Sequence, residues 1–303
     1  MVADNGSDDD SAAFLRKHYP QVELLLLDKN YGYAEGYNRA LEQVAADCYV
    51  LLNSDVEVEE GWLGPLAELM ASDERIAALA PKILSYDRPG YFEYAGASGG
   101  FLDAFGYPFC RGRILDTIEQ DDGQYDTSRD VFWASGACMM VRADVFRKLG
   151  GFDGDFFAHM EEIDFCWRAQ LAGYRIMVEP RSRVFHLGGG TLPNNSPRKL
   201  YLNYRNNLSM LYKNLSKRTL WPLLFTRMVL DGMSAFVFLM QGRRDFFKVV
   251  FRSHMDFYKI LGMLRAKRRA IQRDRTGSAA GNIYRGSIIL RHALGRRTFG
   301  RMM

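Results

Sequence analysis

The chain has 303 residues, 48% of them hydrophobic and 25% charged, which suffices for one large buried core with an appendage. A net charge of +4 hides a split, because residues 1–242 carry 24 Lys+Arg against 33 Asp+Glu and residues 243–303 carry 16 against 3. Cys48, Cys110, Cys138 and Cys166 show no CxxC or other close ligand spacing and sit beside apolar residues, so core thiols in a reducing compartment are expected, with neither a disulfide framework nor a zinc site.

The opening MVADNGSDDDS is polar and acidic, unlike a signal peptide, and Met1-Val2-Ala3 reads as the end of a strand entering a turn. Residues 10–18 form a short helix closed by Pro20, and Val22 to Leu27 is an apolar strand. Asn30-Tyr31-Gly32 is a turn before a helix from Tyr33 to Ala46, with Gly36 and Asn38 near its start. A strand from Cys48 to Leu52 ends at Asn53-Ser54-Asp55, a helix spans Trp62 to Ala71, and Ile76 to Lys82 is strand-like. This alternation predicts an α/β fold with a mostly parallel central sheet, whose ligand crevice lies beyond the C-terminal strand ends, where Asp4 and Asp55 fall.

Tyr86 to Asp130 breaks the pattern with glycines and aromatics and reads as a loop-and-hairpin insertion shaping a binding face. A strand (Phe132 to Val141) and a short helix (Ala143 to Leu149) follow. In the next helix the stripe Ile163, Trp167, Leu171 marks the buried face, Glu161, Glu162 and Asp164 occupy the first turn, and Asp164 can pair with Arg168. Acids at a helix start also serve simply as caps. Strand pieces at Arg175 to Val178 and Val184 to Phe185 flank Pro180 and lead to His186. The polar run from Pro193 to Pro197 reads as a mobile loop ahead of a helix from Lys199 to Leu215.

Leu220 to Met240 is long enough to span a bilayer, yet Arg227 and Asp231 lie mid-stretch. Each would cost about 2.5–3.5 kcal/mol near the bilayer centre, so a helix in the interface or packed on a partner helix is the cheaper arrangement. Phe246 to Arg269 predicts a basic amphipathic helix of lipid-surface type, with ordinary packing of both helices as the alternative.

Asp55 and His186, both at strand ends, suit a Mg²⁺ or Mn²⁺ site with open positions for phosphate, although Asp55 can equally cap a helix and His186 can be structural. An acid near Glu162 would then be free to deprotonate an acceptor.

In this order, the segments DNGSDDDS (4–11), NYGYAEGYNRAL (30–41), YVLLNSDVEV (49–58), the run from Trp133 to Ile176 and VFHLGGGT (184–191) resemble the family 2 glycosyltransferases of the GT-A fold, in particular their rhamnosyltransferase-like branch. The resemblance covers residues 1 to about 215 and implies a GT-A domain over 1–215 followed by a basic, helical, membrane-associating extension over 216–303. It also implies a first strand and nucleotide-binding loop ahead of the DNGS segment, so the chain reads as N-terminally incomplete. Asp4 matches the acid at the donor's nucleobase, and Asn30, Gly32, Gly36 and Asn38 match the loop and helix start beside the nucleotide. Asp55 matches the last acid of the DXD-like motif, with Asn53 in place of the first. Glu161-Glu162 fall on the ED position, where Glu162 stands for the usual Asp base; its longer arm displaces the carboxylate by about 1 Å, a shift that can matter about a hundredfold in rate. Asp164 and Arg168 match the acceptor side, and His186 matches the histidine completing the metal site.

The implied activity is inverting transfer of a sugar from a UDP- or dTDP-linked donor, with Mg²⁺ or Mn²⁺, to a saccharide or lipid-linked saccharide in cell-surface polysaccharide assembly. A non-catalytic nucleotide-sugar-binding protein is the alternative. The basic tail carries no nucleic-acid recognition motif, so no nucleic-acid partner is expected. The expected location is the cytoplasmic face of the inner membrane, peripheral through residues 220–269, with a membrane span as the rival.

Overall fold

A computed structural model describes residues 1–188 and 196–302, so of the loop expected at 193–197 residues 193–195 lie outside the described residues, while Ser196 caps the following helix and Pro197 begins it. The first half runs β1 (Val2–Asp4), α1 (Ser11–His18), β2 (Leu24–Leu26), α2 (Gly32–Leu41), β3 (Cys48–Leu52), β4 (Val56–Val58), α3 (Leu63–Ser72) and β5 (Ile76–Ser85). Short strands follow, β6 (Gly100–Asp103), β7 (Pro108–Cys110), β8 (Arg113–Ile114), β9 (Thr117–Ile118) and β10 (Arg129–Asp130). Then come β11 (Cys138–Arg142), α4 (Ala143–Lys148), α5 (Glu161–Leu171) and β12 (Arg175–His186). The rest is helical, α6 (Pro197–Asn214), α7 (Lys217–Met240), α8 (Arg244–Lys259) and α9 (Leu261–Arg273), before β13 (Ile283–Tyr284), α10 (Ile288–Ala293) and α11 (Phe299–Met302).

The main sheet has the order β10-β12-β5-β11-β3, with β4 on β12. Only β12 and β5 are parallel; the other pairings in it are antiparallel. The expectation of a mostly parallel central sheet is therefore wrong, and the sheet is mixed and mainly antiparallel. A strand buried on both faces presents the same apolar run whichever way its neighbours point. β11 enters after the long 86–130 segment, not through a short helical crossover, and it lies reversed between β3 and β5. β1 and β2 form a separate parallel pair. β12 is one strand, not two pieces: its register shifts between Glu179 and Arg183, opposite Pro81 of β5, where a missing N–H is tolerated.

The core fills both faces of the sheet. Leu66 and Met70 of α3 pack on Ile76, Leu79 and Met140 on one side. Phe146 of α4 and Phe165, Cys166 and Trp167 of α5 join the larger cluster on the other. All four cysteines are free thiols, and three of them are buried.

The 86–130 segment forms a meander of β6 to β9, and β13 adds to its edge in parallel with β6. Phe299 then packs on Phe101, Phe109 and Tyr125, so the basic tail returns onto this meander. The helix expected from Phe246 to Arg269 is two helices, broken at Ile260 between α8 and α9.

Candidate active site

The loop after β1 and the start of α2 are tied together by Asn5. Its Oδ1 accepts from Tyr31 N at 3.0 Å and its Nδ2 donates to Gly32 O at 2.9 Å. Asn30 Oδ1 accepts from Gly32 N at 2.8 Å, holding a turn in which Gly32 has φ +78°. A Cβ on Gly32 would lie 2.5 Å from the Phe157 ring, and one on Gly36 would lie 2.8 Å from Asn5 Nδ2, so both glycines permit close packing. Asp4 stands beside this loop, its Oδ2 accepting from Ser7 N at 3.3 Å. Asn38 faces elsewhere: its amide both donates to and accepts from the Phe152 backbone, at 2.9 Å each, fastening α2 to the segment before α5.

Asp55 and His186 come together because β4 pairs with the end of β12, matching Val56 with His186. Asp55 Oδ1 lies 3.3 Å from His186 Nε2. On the other side of the ring, Nδ1 lies 3.4 Å from Glu93 Oε1, within ion-pair range but without hydrogen-bond alignment. Burial opposes the charged imidazole, but Glu93 and Asp55 outweigh it and hold the His186 pKa above its ordinary value. Asn53 adjoins the pair, its N–H donating to Ala137 O at 3.0 Å. Two donors converge here, and among the described residues no group of three His, Cys, Asp or Glu is arranged to hold a metal. That donor set fits a divalent cation whose remaining positions are filled by phosphate and water oxygens. Glu93 thus sets a second negative charge against this ring, on the side away from Asp55. Nothing around Glu93 in the sequence marks it, since it lies in the aromatic 86–130 segment that spacing could not resolve.

Glu161 and Glu162 open α5 after a backbone stretch in which Phe157, His159 and Met160 have φ of +64°, +70° and +73°. Side chains rarely adopt that region, at a cost of about 1–3 kcal/mol each, so the surroundings must over-determine it. Asn206, fully buried on α6, does so: its Nδ2 donates to Phe156 O, Ala158 O and His159 O at 3.0, 2.9 and 2.8 Å. The Oε2 atoms of Glu161 and Glu162 are both buried without a hydrogen-bond partner. Burial pushes the Glu162 carboxyl up to about 7, and burial together with the Glu162 charge raises Glu161 well above the usual range. His159 Nε2 is likewise unpartnered, and burial followed by the Lys199 charge lowers its pKa to about 4, leaving it neutral.

Tyr33 and Tyr37, with rings 4.8 Å apart, link the two halves of the site. Tyr33 donates to Gly136 O at 2.5 Å and feels the charges of Glu161 and Glu162. Tyr37 donates to Leu52 O at 3.2 Å and feels that of Asp55. Their i, i+4 spacing is visible in NYGYAEGYNRAL, but only the fold gives it meaning.

Asp164 lies apart from these groups. Fully buried, it pairs with Arg168 at 2.9 Å, as the spacing predicts, and with Lys213 of α6 at 3.0 Å, and it accepts from Asn214 at 2.7 Å. Lys213 also pairs with Asp153 at 2.5 Å, and Asp153 contacts Lys267 of α9. This network anchors α5 to the helices behind it.

The family model for glycosyl transferase family 2 matches residues 1–150. An N-acetylglucosaminyl-diphospho-decaprenol L-rhamnosyltransferase of Mycobacterium tuberculosis is 29% identical over 200 residues, 61% of this chain and 65% of that protein. A pre-mycofactocin glycosyltransferase of the same organism is 29% identical over 191 residues, 61% of this chain and 37% of the other. The crystal structure of GalNAc-T7 with UDP, GalNAc and Mn²⁺ shares the fold at a TM-score of 0.52 and 14% identity, over 70% of this chain and 41% of that one. Over residues 1–150, just under half of the chain, the sequence is thus similar to the family 2 glycosyltransferases, and the fold is shared with a glycosyltransferase of known structure. It is related to several sugar transferases, rhamnosyltransferases among them, and it spans less than two thirds of the length of the relatives it matches, 65% and 37% of the two above.

Proposed function

We propose that this chain moves a sugar, with inversion, from a nucleoside-diphosphate donor to a hydroxyl of a saccharide or lipid-linked saccharide acceptor. The carrying observation is the pairing of two environments across Tyr33 and Tyr37. On one side Asp55 and His186 converge, backed by Glu93; on the other Glu162 has an unpartnered oxygen and a pKa near neutrality. A divalent cation held by Asp55 and His186 would offset charge on the departing diphosphate. Glu162 takes the proton of the acceptor hydroxyl as that oxygen attacks the anomeric carbon from the face opposite the leaving group, a role suited to a base whose pKa is near the working pH. Asp4 and the Asn30–Gly32 turn hold the nucleoside. Glu161, whose carboxyl pKa is raised by burial and its neighbour's charge, stands beside this base with its own unpartnered Oε2. Asn38 and Asp164 serve by positioning α2 and α5 through the contacts described above.

Incubating the purified chain with UDP- and dTDP-sugars, Mn²⁺ and membrane lipid extract, with Glu162→Gln in parallel, tests this reading. Transfer by the parent, its loss in the variant and retained metal-dependent nucleotide binding by both are expected. Turnover unchanged in Glu162→Gln removes the proposed base.

We further propose peripheral attachment to the cytoplasmic face of the inner membrane. Among the described residues α7 is the one helix long and apolar enough to cross a bilayer. Its Arg227 and Asp231 are buried towards the protein: Arg227 Nε donates to Asp231 Oδ1 at 2.8 Å and its Nη1 to Asn207 Oδ1 at 2.7 Å. The guanidinium also lies 3.8 Å from the Tyr107 ring centroid, and His254 of α8 lies 3.2 Å from Asp231. Spanning would tear these groups from their partners, whereas lying on the surface keeps them. Release of the protein from membranes by carbonate is expected, and retention through it would favour a span.

A further inference from the structure

A cleft of about 370 Å³ opens where α6, α7 and α9 meet. Its inner wall is fixed: Arg268 Nη1 donates to Tyr212 O and Leu215 O at 2.7 and 2.6 Å, and Gln272 Nε2 donates to Lys213 O and Asn214 O at 3.2 Å each. The other cations that line it, Lys217, Arg265 and Arg269, make no hydrogen bond or ion pair among the described residues, and no acidic side chain lines the cleft. Three unspent positive charges around a cavity of this size form a receptor for a compact anion. Guanidinium groups suit phosphate in particular, because two parallel N–H groups match two of its oxygens.

The mouth of the cleft says where that anion comes from. Trp221, 61% exposed, both lines the cleft and begins the outward stripe of α7, which continues at helical spacing through Phe225, Val229 and Met233 to Met240. Phe225 and Met240 are 71% and 73% exposed, and Phe251 of the neighbouring α8 adds a further exposed ring. An apolar stripe beginning with a tryptophan at the edge of a cation cluster is the arrangement of a helix lying at the headgroup level of a bilayer, with Trp at the boundary and Lys or Arg at the phosphates.

We propose that this cleft binds the phosphate of an anionic lipid headgroup while the α7 stripe enters the acyl boundary beside it. The proposal rests on the membrane-surface reading above and adds a defined headgroup site to it, distinct from the donor and base sites. General attraction of the basic tail to a charged surface would spread over all its cations; a site concentrates it in Lys217, Arg265 and Arg269.

The full chain is sedimented with vesicles of phosphatidylcholine alone and of phosphatidylcholine with phosphatidylglycerol. The parent is compared with the triple variant Lys217→Gln, Arg265→Gln, Arg269→Gln and with a charge-matched control, Arg285→Gln, Arg296→Gln, Arg297→Gln, in the exposed tail. Because the three cleft cations have no hydrogen-bond or ion-pair partner among the described residues, the triple variant should keep the parent's circular dichroism and melting temperature. Should it misfold, the single Arg269→Gln is read in its place, for a proportionately smaller loss. The expected result is a roughly ten- to hundredfold weaker affinity of the cleft variant for the anionic vesicles, with the control within about threefold of the parent. Phe225→Ser should weaken binding to both vesicle types. Equal losses in the cleft variant and the control would overturn the site and leave only diffuse attraction. No vesicle binding by the parent would overturn both the site and the membrane-surface reading. Calorimetry with inorganic phosphate at constant ionic strength separates the sources. Phosphate bound without vesicles as tightly as the anionic surface would assign the cleft to a soluble phosphate and refute the lipid assignment.

Discussion

Replacing Glu162 by Gln should stabilise the protein while removing its base, and the size of the gain should depend on pH. The carboxyl is displaced from 4.5 to about 7 by burial, so its charged form is disfavoured in the fold. Between those two values the native state holds a proton that the unfolded chain releases, so stability falls as pH rises through that window. The displacement corresponds to roughly 3 kcal/mol once pH exceeds about 7, and water reaching the partly exposed side chain brings the expected gain to about 1–3 kcal/mol. Glutamine has the same shape and never carries the charge, so the variant should match the parent near pH 4.5 and exceed it increasingly up to pH 8. Urea denaturation of both proteins, without metal or nucleotide, at several pH values reads the difference directly, and effects common to both cancel. A stability difference that is flat with pH, or a variant less stable at pH 8, would refute the argument that burial alone raises this carboxyl.

Other substitutions probe the supporting groups. Glu93→Gln keeps the shape beside His186 and removes the charge, so the Mn²⁺ concentration for half-maximal nucleotide binding, measured by calorimetry with UDP, should rise roughly 10–100-fold, and the His186 pKa read by NMR should fall. Asn206→Ala deprives three carbonyls of the donor that holds the left-handed stretch before α5; a loss of about 1–3 kcal/mol in urea denaturation is expected, with kcat falling more than donor affinity. Asp164→Ala leaves Arg168 and Lys213 without this shared partner and should cost about 3–5 kcal/mol by thermal or urea unfolding. For transfer itself, kcat/KM should rise with pH to a plateau above about 7 as Glu162 loses its proton, and any residual rate of Glu162→Gln should lack that rise.

Local chemistry was legible in the sequence wherever it depends on near neighbours. The Asp164–Arg168 pair one turn apart and the Gly32 turn follow from backbone periodicity and φ preference, and the structure has both; the Ile163, Trp167, Leu171 stripe is buried as expected, but α5 is buried on nearly every side, so the stripe does not single out one face. Asp55 and His186 could be singled out because each follows an apolar run, although their meeting at 3.3 Å needed the pairing of β4 with β12. Strand direction was beyond reach, because burial on both faces erases the alternation that would reveal a neighbour, and β11 entered the sheet reversed. Glu93, Asn206 and Lys213 were invisible for a related reason: each acts on residues about 50 to 100 positions away, through contacts that no spacing rule encodes. The Arg227–Asp231 pair shows both levels at once. Its position in an apolar run told that α7 has a polar face, and only the tertiary structure, by supplying Asn207, Tyr107 and His254, decided that this face is buried in protein and the apolar face is the one left outside.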